Sequence, residues 1–309
     1  MIIVNMKGGL GNQLFQYATG RALSLRQQQK GYTPKKIRLD ITGYSAHNGI
    51  DTMRKYSLSP FNICADIATP TEIRKLKYPY GSISKAQRLF RAKILRRFYT
   101  NFDAKIHDSM DDLYLDGFFQ TEKYFIDFET EIRRDLTLRN PLNAQARNIS
   151  DTIRNTPRSI SLHVRRGDYV SDTKTNEHHG TCGAEYYTDA LEYLTSRIDS
   201  SLSLNDLSPS HQDSSLVHIF VFSDDIEWVK TNMPLKYPAT YVSSPEIPDY
   251  EELILMSECK HNIIANSSFS WWGAWLNENP SKIVIAPKRW IKGNDIDYKD
   301  ICPTSWIRI

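Results

Sequence analysis

The sequence predicts an α/β protein, and three observations carry that expectation. In the second half, short apolar runs at 160–164, 217–222, 240–242, 262–265 and 282–286 alternate with helix-period segments at about 185–198, 226–233, 250–260 and 271–278. Alternation of this kind builds βαβ crossovers and a parallel, doubly wound sheet. In the first half, the apolar run 2–6 passes through Lys7-Gly8-Gly9-Leu10-Gly11-Asn12-Gln13 into a helical pattern, with Leu14, Tyr17, Ala18, Ala22 and Leu25 on one face. The third observation is bulk: 309 residues, 40% apolar and 24% charged, suit two domains with a real core.

Taken in order, strand 2–6 and its glycine loop come first. Strand, glycine loop and helix form a place where backbone N–H groups meet an anion at a helix start. Gly8, Gly9 and Gly11 keep side chains out of that approach, and Asn12 and Gln13 add amides. The loop lacks the Gly-x-x-x-x-Gly-Lys pattern of a phosphate loop. It matches the dinucleotide fingerprint only in part, because Leu14 stands where the third glycine belongs. A second strand at 37–39 ends in Asp40, an acid that can hold a ribose in an oxidoreductase.

Residues 85–99 read as an amphipathic basic helix. Its Lys85, Arg88, Arg91, Lys93, Arg96 and Arg97 form either a solvated face or a peripheral contact with anionic lipid. The aromatic stretch 116–125, DGFFQTEKYF, reads as a short strand and turn followed by a helix to Arg134. Asn140-Pro141 interrupts, and a helix at 144–154 leads to Thr156-Pro157. The domain boundary is expected there, giving domains 1–156 and 157–309. The polar, Ser-rich stretch 199–215 reads as a surface loop.

In parallel sheets, ligands lie beyond the carboxyl ends of the strands. The run 160–164 ends in Arg165-Arg166-Gly167-Asp168, with His163 just inside the strand. Paired guanidinium groups clamp phosphate oxygens, or else hold the turn through Asp168. The next strand ends in Ser223-Asp224-Asp225. Asp224 with Glu227 fits a capping box, which leaves the other aspartate for a guanine or ribose. A third strand ends in Ser243-Ser244. A fourth runs through Asn266, Ser267 and Ser268 into a helix start carrying Trp271, Trp272 and Trp275, which are expected in the core. Four strand ends with Arg-Arg, Asp-Asp, Ser-Ser and Asn-Ser-Ser match a nucleoside diphosphate held without metal. The single Asp-x-Asp, Asp295-Ile296-Asp297, lies in a polar tail and is discounted.

Composition closes off other classes. The net charge of +3 gives no bulk case for nucleic acid. The four cysteines, Cys64, Cys182, Cys259 and Cys302, have neither zinc-site nor disulfide-framework spacing. No signal peptide and no apolar run of membrane-spanning length is visible, so a cytoplasmic protein is expected.

The motifs GGLGNQLFQYA, DGFFQTEKYF, HVRRGDY, FSDD and NSSFSWWGAWL, in this order over residues 8–276, resemble those of the alpha-1,2-fucosyltransferases of the bacterial type. The resemblance implies a GT-B-like architecture, two Rossmann-like domains facing across a cleft. It implies a GDP-L-fucose donor, transfer to O2 of galactose with inversion, and no metal or other cofactor. The acceptor is then a galactose-terminated or lipid-linked oligosaccharide, as in O-antigen or capsule synthesis, and the enzyme is cytoplasmic or peripheral at the inner membrane. By position, Arg165 matches the pyrophosphate clamp, with Arg166 and His163 beside it. Asp224 or Asp225 matches the base- or ribose-reading acid, and Ser267 and Ser268 the phosphate-side serines. Gly9, Gly11, Asn12 and Gln13 match the loop that closes over the donor. Asp168 is either the general base or a brace for the arginines, and His178 and His179 line the acceptor site or are solvated. Two rival readings are a nicotinamide-dependent oxidoreductase, resting on the glycine loop and Asp40, and a non-catalytic glycan-binding protein resting on the aromatics.

Overall fold

A computed structural model describes all residues except 45–53, 80, 82, 85–101, 168–179, 204–215 and 292–298. The basic helix expected at 85–99, with Lys85, Arg88, Arg91, Lys93, Arg96 and Arg97, lies outside the described residues, as do Asp168, His178, His179 and Asp295-Ile296-Asp297. Two compact units emerge: Met1–Asn140 with Asp297–Pro303, and Pro141–Ile296 with Thr304–Ile309. No helix among the described residues is long and apolar enough to cross a membrane.

The first unit is a parallel sheet of β1 (Ile2–Asn5), β2 (Ile37–Asp40), β3 (Asp66–Ile67) and β4 (Leu113–Leu115), ordered β3-β2-β1-β4. Helix α1 (Leu10–Gln29) is buried around most of its circumference rather than on the one face expected, and Leu25 is only half-buried. Gly20 makes its close seating possible, since a Cβ there would lie 2.6 Å from Val4 Cγ2 on β1. Helix α2 (Pro70–Lys77) starts with a capping box, Thr69 and Glu72 bonding each other's backbone N–H. Two short helices follow, α3 (Ala104–His107) and α4 (Glu129–Asp135). The strand expected within 116–125 lies just ahead of that stretch, as β4. Asp116 to Gln120 is irregular, and Phe119 has a left-handed φ of 51° while fully buried.

In the second unit, α5 (Ala144–Asn155) precedes β5 (Arg158–Val164). Then follow α6 (Ala184–Ser203), β6 (Val217–Ser223), α7 (Ile226–Asn232), β7 (Ala239–Tyr241), α8 (Asp249–Glu258), β8 (His261–Ile263), α9 (Ser268–Leu276), β9 (Val284–Ala286) and β10 (Ile307–Arg308). All strand pairs are parallel, in the order β10-β9-β8-β5-β6-β7. Counted from β5, this is the Rossmann order, and strand order reverses between β5 and β8. The sheet is covered on both faces, which is why β5 is buried at every position. Ile160, Leu162 and Val164 pack with Ile219, Val221 and α6 residues on one face. Phe220 and Phe222 pack on the other with Ala146 and Ile153 of α5 and Leu255 and Met256 of α8.

That second core corrects the expected boundary. Helix α5 belongs to the second unit because its apolar face is buried there, so the chain divides at Asn140/Pro141 and not at Thr156-Pro157. Trp271 and Trp272 are fully buried and Trp275 nearly so, as expected of core residues. Helices α8 and α9 meet closely at Gly273, where an added Cβ would stand 2.8 Å from Met256 Cβ. Gly273→Val is therefore expected to lower stability by about 1–3 kcal/mol through overpacking, measured as a lower midpoint of urea unfolding at unchanged slope.

Candidate active site

Each unit brings functional side chains to the carboxyl ends of its strands, and each has its strand-order reversal there: between β1 and β4 in the first, between β5 and β8 in the second.

In the second unit the two central strand ends are tied by charge. Arg165 Nη1 lies 2.9 Å from Asp224 Oδ2, with the two side chains 19% and 25% exposed. The other oxygen, Oδ1, accepts the backbone N–H of Arg166 at 2.8 Å. Asp224 also approaches Gly167 closely: a Cβ there would stand 2.3 Å from Oδ2. Arg166 points differently. Its Nε donates to Asp225 Oδ2 at 3.4 Å and its guanidinium stacks 3.5 Å from the centre of the Trp228 ring. Asp225 Oδ1 accepts the N–H of Trp228 and caps α7.

The cap is thus one residue later than the sequence pattern suggests. Asp225 caps and Asp224 clamps, while Glu227 pairs with Lys230 instead of completing a capping box. Both side chains are engaged within the protein, Asp224 in the clamp and Asp225 in the cap.

His163 occupies the last turn of the buried strand before the clamp, with its ring 5.7 Å from that of Phe269. Burial, helped by the positive Arg165, depresses its pKa to about 3, so its imidazole is neutral. Its Nδ1 has no hydrogen-bond partner among the described residues. At the end of β8, Asn266 donates to the carbonyls of Gly180 and Trp290 at 3.1 and 3.2 Å. Ser267 caps α9 by accepting from Phe269 N–H, and Ser268 is the first residue of that helix. The structure therefore gathers His163, Arg165, Arg166, Asp224, Asp225, Ser267 and Ser268 at three neighbouring strand ends.

One carboxyl there escapes sequence reasoning. Glu252 of α8 is half-buried, and loss of hydration pushes its pKa up to about 8, with Asp249 and Asp224 adding to the rise and the Ser243 hydroxyl opposing it. In the sequence it is one of several acids in the first turns of a helix, a pattern that ordinarily reports only dipole complementarity.

In the first unit the loop after β1 is held by amides. Gln13, fully buried, donates to Gly8 and Lys55 carbonyls at 3.1 and 2.8 Å and accepts from Ser57 N–H at 2.9 Å. Gln16, unnoticed in the sequence, exchanges hydrogen bonds with Lys7 and donates to Gly117 on the β4 side. The expectation that Gln13 offers its amide to a ligand is corrected: both its donors are engaged in holding the loop. Gly9 is the N-cap of α1 and Gly11 is buried in its first turn, while the glycine conformation proper falls at Gly8, with φ of 78°. Asn12 Oδ1 accepts from Gln120 at 2.7 Å, joining the glycine loop to the aromatic stretch. Beside them Asp116 Oδ1 accepts from Asn5 and Lys7, both at 2.9 Å, and Lys7 stands 5.0 Å from the Phe118 ring centre.

Asp40 is fully buried and accepts from the backbone and hydroxyl of Thr42 and from the Tyr114 hydroxyl. Burial acts to raise its pKa, but these bonds and Lys77 outweigh it and hold the carboxyl below its ordinary value. An acid so engaged cannot also hold a ribose, and the oxidoreductase reading loses its second support.

Two outcomes follow. Gly167→Ala drives a methyl into Asp224 and is expected to weaken the clamp, lowering turnover at least tenfold with a native far-ultraviolet circular dichroism spectrum. Between about pH 6.5 and 3 the folded protein binds fewer protons at His163 than the unfolded chain does, so stability falls as pH falls through that window. Imidazole resonances of His163 should accordingly stay neutral at pH 5, and His163→Gln should flatten the acid-side loss of stability.

With this geometry in hand, likeness to known proteins is informative. The model of glycosyl transferase family 11 matches residues 1–309. An alpha-1,2-colitosyltransferase of Escherichia coli is 33% identical over 325 residues, covering 100% of this chain and 99% of that protein. The O-antigen biosynthesis glycosyltransferase WbnK of Escherichia coli is 30% identical over 338 residues, covering 98% and 99%. Human galactoside alpha-(1,2)-fucosyltransferase 1 is 25% identical over 192 residues, 56% of this chain and 48% of that one.

Proposed function

The chain belongs to glycosyl transferase family 11, and from that premise we propose that it transfers L-fucose from GDP-β-L-fucose to O2 of a terminal galactose, with inversion and without a metal. The observation that carries this reading is the Arg165–Asp224 pair at the strand-order reversal of a Rossmann-ordered sheet. An arginine held there by a carboxylate and a glycine turn is oriented before any ligand arrives.

In the reaction, the acceptor hydroxyl attacks C1 of fucose from the face opposite GDP. The bond from C1 to the β-phosphate oxygen breaks, and negative charge grows on the diphosphate. Arg165 counters that charge most strongly in the transition state. The guanidinium fork is suited to paired phosphate oxygens. Arg166, fixed on Trp228, adds positive potential at the same turn. Such arginines supply the charge that a bound cation supplies elsewhere. The Ser267 and Ser268 hydroxyls, at the start of α9, add donors for the remaining oxygens. His163, neutral and buried, shapes the floor of the site without exchanging a proton. The acceptor proton passes to a base, for which the sequence offers Asp168, the residue after Gly167, when it is not a brace for the arginines.

Colitosyl transfer is the second reading, favoured by the relative named alpha-1,2-colitosyltransferase at 33% identity across the whole chain. Colitose differs from fucose by loss of one ring hydroxyl, so the same clamp serves either donor. An O-antigen precursor is the acceptor class proposed, in line with the name of the second relative.

The test is release of GDP with formation of an α-1,2-linked product, using lactose or N-acetyllactosamine as acceptor and GDP-fucose or GDP-colitose as donor. Transfer is expected from GDP-fucose with EDTA present. Arg165→Ala is expected to lose about 100-fold or more in turnover, as for removal of a donor to a developing oxyanion. Abolition by EDTA would overturn the metal-free mechanism, and full activity of Arg165→Ala the role of the clamp. Transfer from GDP-colitose alone would replace the donor.

A further inference from the structure

The first unit carries a polar patch at the carboxyl ends of β1 and β4, where its strand order reverses. Lys7 Nζ donates to Asp116 Oδ1 at 2.9 Å, and Asn5, the last residue of β1, donates to the same oxygen at 2.9 Å. The Lys7 ammonium stands 5.0 Å from the centre of the Phe118 ring. The side chains of Lys7 and Asp116 are 37% and 36% exposed, and Phe118 is half-buried. An ammonium has three N–H donors. Among the described residues Asp116 is the hydrogen-bond partner of the Lys7 ammonium, and no other is found. Gln120, two residues past Phe118, donates to Asn12 at 2.7 Å, and its Oε1 accepts from none of the described residues.

An exposed ion pair by itself contributes little and is seldom worth fixing in one geometry. This one is fixed from beneath. Gln16, fully buried, accepts the Lys7 N–H at 3.1 Å and donates to the carbonyls of Lys7 and Gly117, both at 3.2 Å. One buried amide thus holds the backbone on both sides of the pair. Phe119 holds the segment beyond. Its φ of 51° is one that bulky residues rarely adopt, and its buried ring, edge-on to Tyr124 at 5.6 Å, keeps it there. Strain that the core maintains clusters at functional surfaces, and here it lies between Phe118 and Gln120.

We propose that Lys7, Phe118 and Gln120 form a subsite for a neutral, galactose-terminated saccharide. This rests on the reading that the chain transfers a sugar to galactose. A sugar hydroxyl both accepts and donates hydrogen bonds. Lys7 supplies N–H groups to hydroxyl oxygens, and Gln120 Oε1 accepts a hydroxyl proton. Galactose, with its axial O4, gathers C–H groups on one face of its ring, and an aromatic side chain such as Phe118 covers a face of that kind. Asp116 and Asn5 are positioning residues that aim the ammonium. Asp116 also cancels its charge, so the patch suits a neutral sugar better than an anionic one.

The experiment measures the KM of lactose and the KM of the GDP-sugar donor separately, for the full chain and for Phe118→Ala, Phe118→Tyr and Lys7→Met. Phe118→Ala and Lys7→Met are each expected to raise the lactose KM about tenfold, the worth of one ring contact or one charge-assisted hydrogen bond, and to leave the donor KM unchanged. Phe118→Tyr keeps the ring face and should hold the lactose KM within about twofold of the native value. Saturation-transfer NMR of lactose on the protein without donor gives a second readout. Saturation should reach the galactose ring protons on the native protein and be lost in Phe118→Ala. Both replaced side chains are partly exposed, and a melting curve checks each fold. If one variant does not fold, the other decides. An unchanged lactose KM, or a rise shared equally by donor and acceptor as a disturbed loop would give, overturns this inference alone. Failure of the native protein to transfer from either GDP-fucose or GDP-colitose overturns the reading of the reaction and the inference with it.

Discussion

The ion pair between Arg165 and Asp224 is the interaction on which the second unit's site depends. The strands that carry these residues are buried along their length, so charge can appear only where the sheet ends. Two adjacent strand ends of opposite sign compensate each other at that edge. Removing either partner would leave the other partly buried and uncompensated, which costs more than the pair contributes. The pair also sets direction. One Asp224 oxygen holds the guanidinium and the other holds the backbone of the next residue, so the turn after β5 and the arginine side chain are fixed by one carboxylate. The absence of a side chain at Gly167 is what lets that carboxylate come so close.

The two units use the same strand-order reversal with different chemistry. In the first, the loop after β1 is held by the neutral amides of Gln13 and Gln16 against backbone groups. The Lys7–Asp116 ion pair stands beside these amides, and Asn12 is tied to Gln120 of the aromatic stretch. In the second, the strand ends carry the guanidinium groups and the acids.

Much of this was legible in the sequence because it is written in local patterns. Apolar runs gave the strands, their exits gave the arginines, and the Asn-Ser-Ser run before the tryptophans gave the start of α9. What was misread depended on contacts between distant residues. The pattern Asp224-x-x-Glu227 imitates a capping box, yet Arg165 and the Arg166 N–H, from a different strand end, claim Asp224 and move the cap to Asp225. The Thr156-Pro157 dipeptide looks like a boundary, but α5 has an apolar face that only α8 and β6 can cover. Gln13 reads as a ligand amide because nothing in the sequence shows the carbonyl of Lys55 returning to meet it. Glu252 was invisible for the same reason: a helix-start glutamate becomes notable only when the fold half-buries it and raises its pKa.

Charge balance at the site explains why a third acid is tolerable there. Arg165 and Arg166 bring two positive charges, and Asp224 and Asp225 bring two negative ones. With Glu252 protonated the cluster is neutral, and an incoming diphosphate meets oriented guanidinium groups without net repulsion. An ionised Glu252 in the empty site would tip the balance negative and work against the same anion. Loss of hydration at Glu252 opposes its ionisation and so keeps that balance.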